Sequence, residues 1–86
     1  MKLVLYFGAS WCGACKKLKP VIQKITKNEG IELIEYMAEN DTDIFREYNV
    51  SALPTLIVMD KDGEVGRLSG LAKIEDIKEL INKGGE

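Results

Sequence analysis

Apolar and polar positions change period several times along the chain, and each change marks an element. Residues 2–7, KLVLYF, form an almost continuous apolar run of β-prone side chains, which predicts a strand covered on both faces. From Cys12 the period lengthens. Cys15, Leu18, Ile22 and Ile25 fall on one helical face, while Lys16, Lys17, Lys19, Gln23, Lys24 and Lys27 cover the rest. Ser10 is placed to cap that helix, and Gly30 in the NEG of 28–30 is placed to stop it. IELIEY (31–36) alternates as a second strand, and DTDIFREY (41–48), acidic in its first turn, predicts a short helix. TLIVM (55–59) reads as another buried strand, DKDG (60–63) as a turn, and EVGRLS (64–69) as the antiparallel neighbour. The last element, KIEDIKELINK (73–83), puts Ile74, Ile77, Leu80 and Ile81 in one apolar stripe, with Glu79 and Lys83 at a favourable helical spacing.

The order β-α-β-α-β-β-α predicts a single α/β domain over 1–86, with a four-stranded mixed sheet and helices on both faces. In such sheets reactive groups gather at the carboxyl ends of strands, beside a helix N-terminus. Both cysteines of the chain, in GASWCGACKKLKP (8–20), fall at such a strand-to-helix turn.

Composition narrows the function classes. With 45% hydrophobic and 30% charged residues in 86, the chain has an ordinary globular make-up and a small core. Its 12 basic and 14 acidic residues are scattered, so it lacks the concentrated basic face that nucleic acid or anionic lipid requires. LVLYF is far too short to span a membrane and does not read as a secretory leader, so the expectation is a cytoplasmic protein. Thiols are held reduced there, and the cysteines read as reagents rather than as a staple.

The spacing of Cys12 and Cys15 explains how they would react. At a helix N-terminus unpaired amides and the macrodipole favour thiolate, and in Cys-X-X-Cys sites the thiol pKa falls from about 8.5 to about 7 or lower. Cys12, at the first turn, is therefore the attacking thiol. Cys15 lies one turn on, within reach of a disulfide, and Gly13 and Ala14 keep the turn between them small. The expected cycle is attack by Cys12 on a partner disulfide, then attack by Cys15 on the mixed disulfide, which leaves a Cys12–Cys15 bond. A structural disulfide around so short a loop would restrict the unfolded chain little. A zinc site needs four ligands, and two cysteines without any histidine close that shell only across a dimer or with carboxylates. The lack of histidine also removes the usual base of a Cys-His hydrolase.

WCGAC followed by lysine and by Pro20, then VSALPT (50–55) before a buried strand, then GRLSGLAKIEDIKEL (66–80), resembles the thioredoxin family over essentially the whole chain. The form is a short one, without the extra N-terminal strand and helix of full-length members. The resemblance implies a thioredoxin fold and an enzyme, a monomer without bound cofactor or metal, that exchanges its dithiol with protein disulfides. It also implies recycling by a thioredoxin-reductase-type enzyme, with Cys12 attacking and Cys15 resolving. A glutaredoxin-like enzyme using glutathione is the alternative suggested by the short length, although SAL before Pro54 and the surroundings of Gly70 lack the features expected for glutathione. A non-catalytic metal-binding or partner-binding module is the more distant alternative.

Under the resemblance other residues acquire roles. A cis Leu53–Pro54 bond would bring its loop beside the cysteines and leave the Leu53 backbone free to pair with an extended substrate. Trp11 would present an apolar surface to partners, and Gly70 would let substrate approach closely. Pro20 removes the helical bond to the Lys16 carbonyl, Lys16, Lys17 and Lys19 read as a solvated helix face, and Tyr36, Phe45 and Tyr48 read as packing residues. Two positions depart from the family. Ala14 stands where many members have proline, and Tyr6 stands where they place a buried aspartate that assists the resolving cysteine. Glu35 would replace that acid if its side chain pointed inward. Leu33 and Glu35 must share a face, and a solvent-facing glutamate is the plainer expectation.

Overall fold

The computed structural model describes residues 2–83; the expected domain's remaining positions, 1 and 84–86, lie outside the described residues. The elements follow the predicted order: β1 (Lys2–Gly8), α1 (Gly13–Glu29), β2 (Glu32–Met37), α2 (Thr42–Glu47), β3 (Thr55–Asp60), β4 (Gly63–Ser69) and α3 (Ile74–Asn82). The strands form one sheet in the order β2-β1-β3-β4. β1 pairs in parallel with β2 and antiparallel with β3, and β3 pairs antiparallel with β4.

Strand alternation divides the core in two. Val4 and Tyr6 of β1, with Leu56 and Val58 of β3, face Cys15, Leu18, Ile22 and Ile25 of α1 and Ile77, Leu80 and Ile81 of α3. Leu5, Phe7 and Ile57 point the other way, where Ile44, Phe45 and Tyr48 close over them from α2 and the residue after it. Phe7 is fully enclosed, with ring centroids 5.0 Å from Phe45, 5.3 Å from Tyr36 and 5.8 Å from Tyr48. The helices thus cover both faces of a mixed sheet, and the three aromatic residues expected to be packing residues are.

The helix ends follow from local chemistry, with one change from expectation. Gly30 ends α1 in the left-handed region at φ 67° and donates to the carbonyls of Thr26 and Lys27. The start of α1 is capped by Cys12, not by Ser10: Cys12 is extended, and its sulfur accepts the Cys15 amide. Ser10 lies exposed outside the helix, where its amide donates to a Glu39 carboxylate oxygen. In α3, Ile77, Leu80 and Ile81 are buried as the stripe predicts, whereas Ile74, at the helix start, is half exposed. The register of β3 against β4 shifts by one residue at Val58/Met59, and beside that bulge Leu80 reaches down onto Gly66.

Candidate active site

The sheet topology brings three distant loops to one end. Phe7 near the end of β1 pairs with Thr55 at the start of β3, and Thr55 pairs with Ser69 at the end of β4. The turn after β1, the segment before β3 and the segment after β4 therefore emerge together, carrying Trp11 to Cys15, Leu53 with Pro54, and Gly70 respectively. The Gly70 amide donates to the Pro54 carbonyl at 2.8 Å, fastening the second and third loops. Leu53–Pro54 is cis, as the resemblance implied. The Thr55 hydroxyl donates to the Ala52 carbonyl at 2.7 Å and closes that loop on itself. Gly70 takes φ 79°, and a side chain there would project into open space.

At the head of α1, Cys12 and Cys15 are joined as a disulfide, with their Cα atoms 5.2 Å apart. The two sulfurs live in different surroundings. Cys12 is half-buried at the N-cap, whereas Cys15 is 4% exposed within the α1 side of the core. The Cys15 amide donates to Cys12 Sγ at 3.1 Å. The first turn of α1 carries no acidic residue, so the helix dipole acts on that sulfur without local opposition. An amide donor and a helix N-terminus both favour the thiolate once the disulfide opens, and both act on Cys12. Cys12 and Leu53 pack against the same core cluster, and Trp11, the residue before Cys12, is 67% exposed, an unusual position for a large indole. Gly13 is exposed and Ala14 half-buried in the first turn of α1.

Beneath Cys15 stands Tyr6. It is 1% exposed, and its hydroxyl donates to the Cys15 carbonyl at 3.2 Å. Burial, and after it the charge of Glu35, push the Tyr6 hydroxyl above its ordinary value of 10.0, so it is neutral throughout the physiological range. Between Tyr6, Cys15, Lys16, Lys19 and Met37 a cavity of about 270 Å³ opens toward solvent. The Glu35 carboxylate stays part-exposed at the rim of α1. Leu33 and Glu35 share a face, and it is the one turned to α1, where Glu35 meets Lys19 at 3.1 Å and Gln23 at 2.7 Å. Residues 33–37 of this edge strand are all half-buried, so its alternation does not reveal which side is inner. Sequence reasoning also missed the interlock of Tyr6 with Gly8. An aromatic residue followed two places later by glycine in one strand was the available signal.

A thioredoxin family model matches residues 1–83. A thioredoxin of Echinococcus granulosus is 39% identical over 80 residues, covering 92% of this chain and 74% of the relative. Thioredoxin H2 of Arabidopsis thaliana is 30% identical over 82 residues, covering 94% of this chain but only 61% of that longer protein. Among solved structures, thioredoxin-2 of the malaria parasite superposes with a TM-score of 0.89 at 29% identity, over 98% of this chain and 84% of that one. The cysteine pair at a helix head, the cis-proline loop beside it and the sheet order thus agree with a family-wide match: this chain belongs to the thioredoxin family, a family of disulfide oxidoreductases.

Proposed function

We propose that the protein reduces disulfide bonds of other proteins, with Cys12 as the attacking thiol and Cys15 as the resolving one. The observation that carries the reading is the asymmetry of the pair: Cys12 is half-buried and accepts the Cys15 amide at a helix N-terminus, while Cys15 is buried behind it. Cys12 thiolate attacks one sulfur of the partner disulfide and expels the other as a thiolate. Cys15 thiolate then attacks Cys12 in the mixed disulfide, releasing the second partner sulfur and leaving the Cys12–Cys15 bond. Two electrons pass from the dithiol to the partner, so the cycle needs no bound cofactor. A separate thioredoxin-reductase-type enzyme returns them, in a reducing compartment such as the cytoplasm.

Substrate would lie across the common end of the three loops as an extended segment paired with the Leu53 backbone. Trp11 would form an apolar contact, and Gly70 would leave room for the approaching chain. The bare φ 79° backbone at Gly70 and the exposure of Trp11 support these roles. The test is reduction of a protein disulfide such as that of insulin, with dithiothreitol as terminal reductant. The wild type should accelerate it, Cys12→Ser should abolish the acceleration, and Cys15→Ser should accumulate a mixed disulfide through Cys12. Full activity of Cys12→Ser would overturn the assignment.

A further inference from the structure

We propose that Tyr6 is the positioning residue of the resolving thiol, holding Cys15 through its carbonyl at the place where it must close on Cys12. The proposal rests on the assignment of Cys15 as the resolving thiol. Cys15 is gripped on both of its peptide faces: its amide donates to Cys12 Sγ at 3.1 Å, and its carbonyl accepts the Tyr6 hydroxyl at 3.2 Å. The second grip is a built feature. A β-carbon at Gly8 would stand 2.8 Å from the Tyr6 hydroxyl oxygen and 2.9 Å from Cε2, so the tyrosine ring reaches Cys15 by lying across a position that only glycine leaves free. Tyr6 and Gly8, two residues apart on the α1 side of β1, thus form one support.

The Cys12 backbone is held by other bonds than this support. Its amide donates to the Ala9 carbonyl at 3.2 Å, and its carbonyl accepts the Lys16 amide at 3.3 Å. Loss of the Tyr6 hydroxyl should therefore slow the second exchange and spare the first. The fold-change is that of one buried hydrogen bond, about fivefold.

A symmetric chromogenic aryl disulfide separates the two steps. Attack by Cys12 thiolate releases one aryl thiolate and leaves a mixed disulfide. Attack by Cys15 thiolate then releases the second aryl thiolate and forms the Cys12–Cys15 bond, with two electrons transferred in all. In Tyr6→Phe the first release should stay within about twofold of wild type, and the second should slow about fivefold. The same support favours the closed disulfide, so the dithiol potential should rise by about 20 mV, the equivalent of fivefold in the equilibrium. Gly8→Ala displaces the ring while keeping the hydroxyl and should reproduce the selective slowing, which also covers the case that Tyr6→Phe does not fold. An unchanged second release with an unchanged potential, or an equal slowing of both releases, overturns the proposal. Absence of any first release in the wild type would instead overturn the assignment of Cys12.

Discussion

Residues 6 and 7 are adjacent in β1, yet pleating sends them to opposite faces, and their substitution should have opposite consequences. Phe7→Leu keeps an apolar side chain of similar bulk but loses the ring at the centre of three aromatic neighbours, 5.0 to 5.8 Å away. At about 0.5–1 kcal/mol per aromatic contact beyond simple burial, the loss is about 2 kcal/mol. Urea titration should show it as a lower midpoint at unchanged slope, because the surface exposed on unfolding is the same. The loss should also be uneven. α2 is six residues long with none of them buried, and Ile44, Phe45 and the following Tyr48 tie it to the sheet largely around Phe7. Amide exchange in α2 should therefore accelerate more than exchange in β1 or β3. The cysteine pair lies across the sheet among Val4, Tyr6 and the α1 residues, so both releases of the two-step thiol assay should match wild type. A selective change in the second release, or a stability loss without extra opening of α2, would refute the division of the core at this strand.

Three further outcomes follow from the geometry. Gly30→Ala should cost about 1 kcal/mol in thermal or urea unfolding, because φ 67° is left-handed while no atom lies in a side chain's way; Gly30→Asn should recover much of it. For Tyr6, a folded pKa above the unfolded value means that stability is fully present below pH 10.0 and is lost as pH rises toward the folded value. Tyr6→Phe should remove that part of the alkaline destabilisation, and an identical alkaline unfolding curve would contradict it. Glu35→Gln should leave the pH profile of the second thiol release unchanged, because Lys19 and Gln23 already occupy the carboxylate; breaking this part-exposed contact should cost less than about 1 kcal/mol in urea unfolding.

Elements with strong periodicity were legible from sequence. The α1 stripe of Cys15, Leu18, Ile22 and Ile25 is buried throughout, and Gly30 stops the helix because a left-handed cap suits glycine. The convergence of Pro54 and Gly70 on the cysteine turn came from the resemblance, since spacing alone does not say which strands become neighbours. The sheet order supplies the physical reason: with β3 beside β1 and β4 beside β3, antiparallel pairing returns both loops to the end where β1 finishes. Ser10 was the obvious cap by residue type. A sulfur at the position that matches the turn geometry displaced it, and that displacement gives Cys12 its amide donor. Which face of β2 carries Glu35 was not legible, because this edge strand has residues 33–37 all half-buried and no contrast marks its inner side; the carboxylate lies part-exposed on the α1 side.

The tyrosine at position 6 alters how charge is distributed around the pair. A carboxyl beneath Cys15 would add a negative charge to the interior wherever it ionised. Tyr6 instead presents a hydroxyl that is neutral below pH 10.0 and fastened to the Cys15 carbonyl. The favourable influences then fall unequally on the two sulfurs. The free end of α1 and the Cys15 amide act on Cys12, while Cys15 lies among apolar side chains that disfavour its thiolate. A buried thiol of this kind gains most from being held within bonding reach of Cys12, because geometry must supply what ionisation does not. A neutral residue that grips the backbone of Cys15 provides such placement without opposing the thiolate one turn earlier.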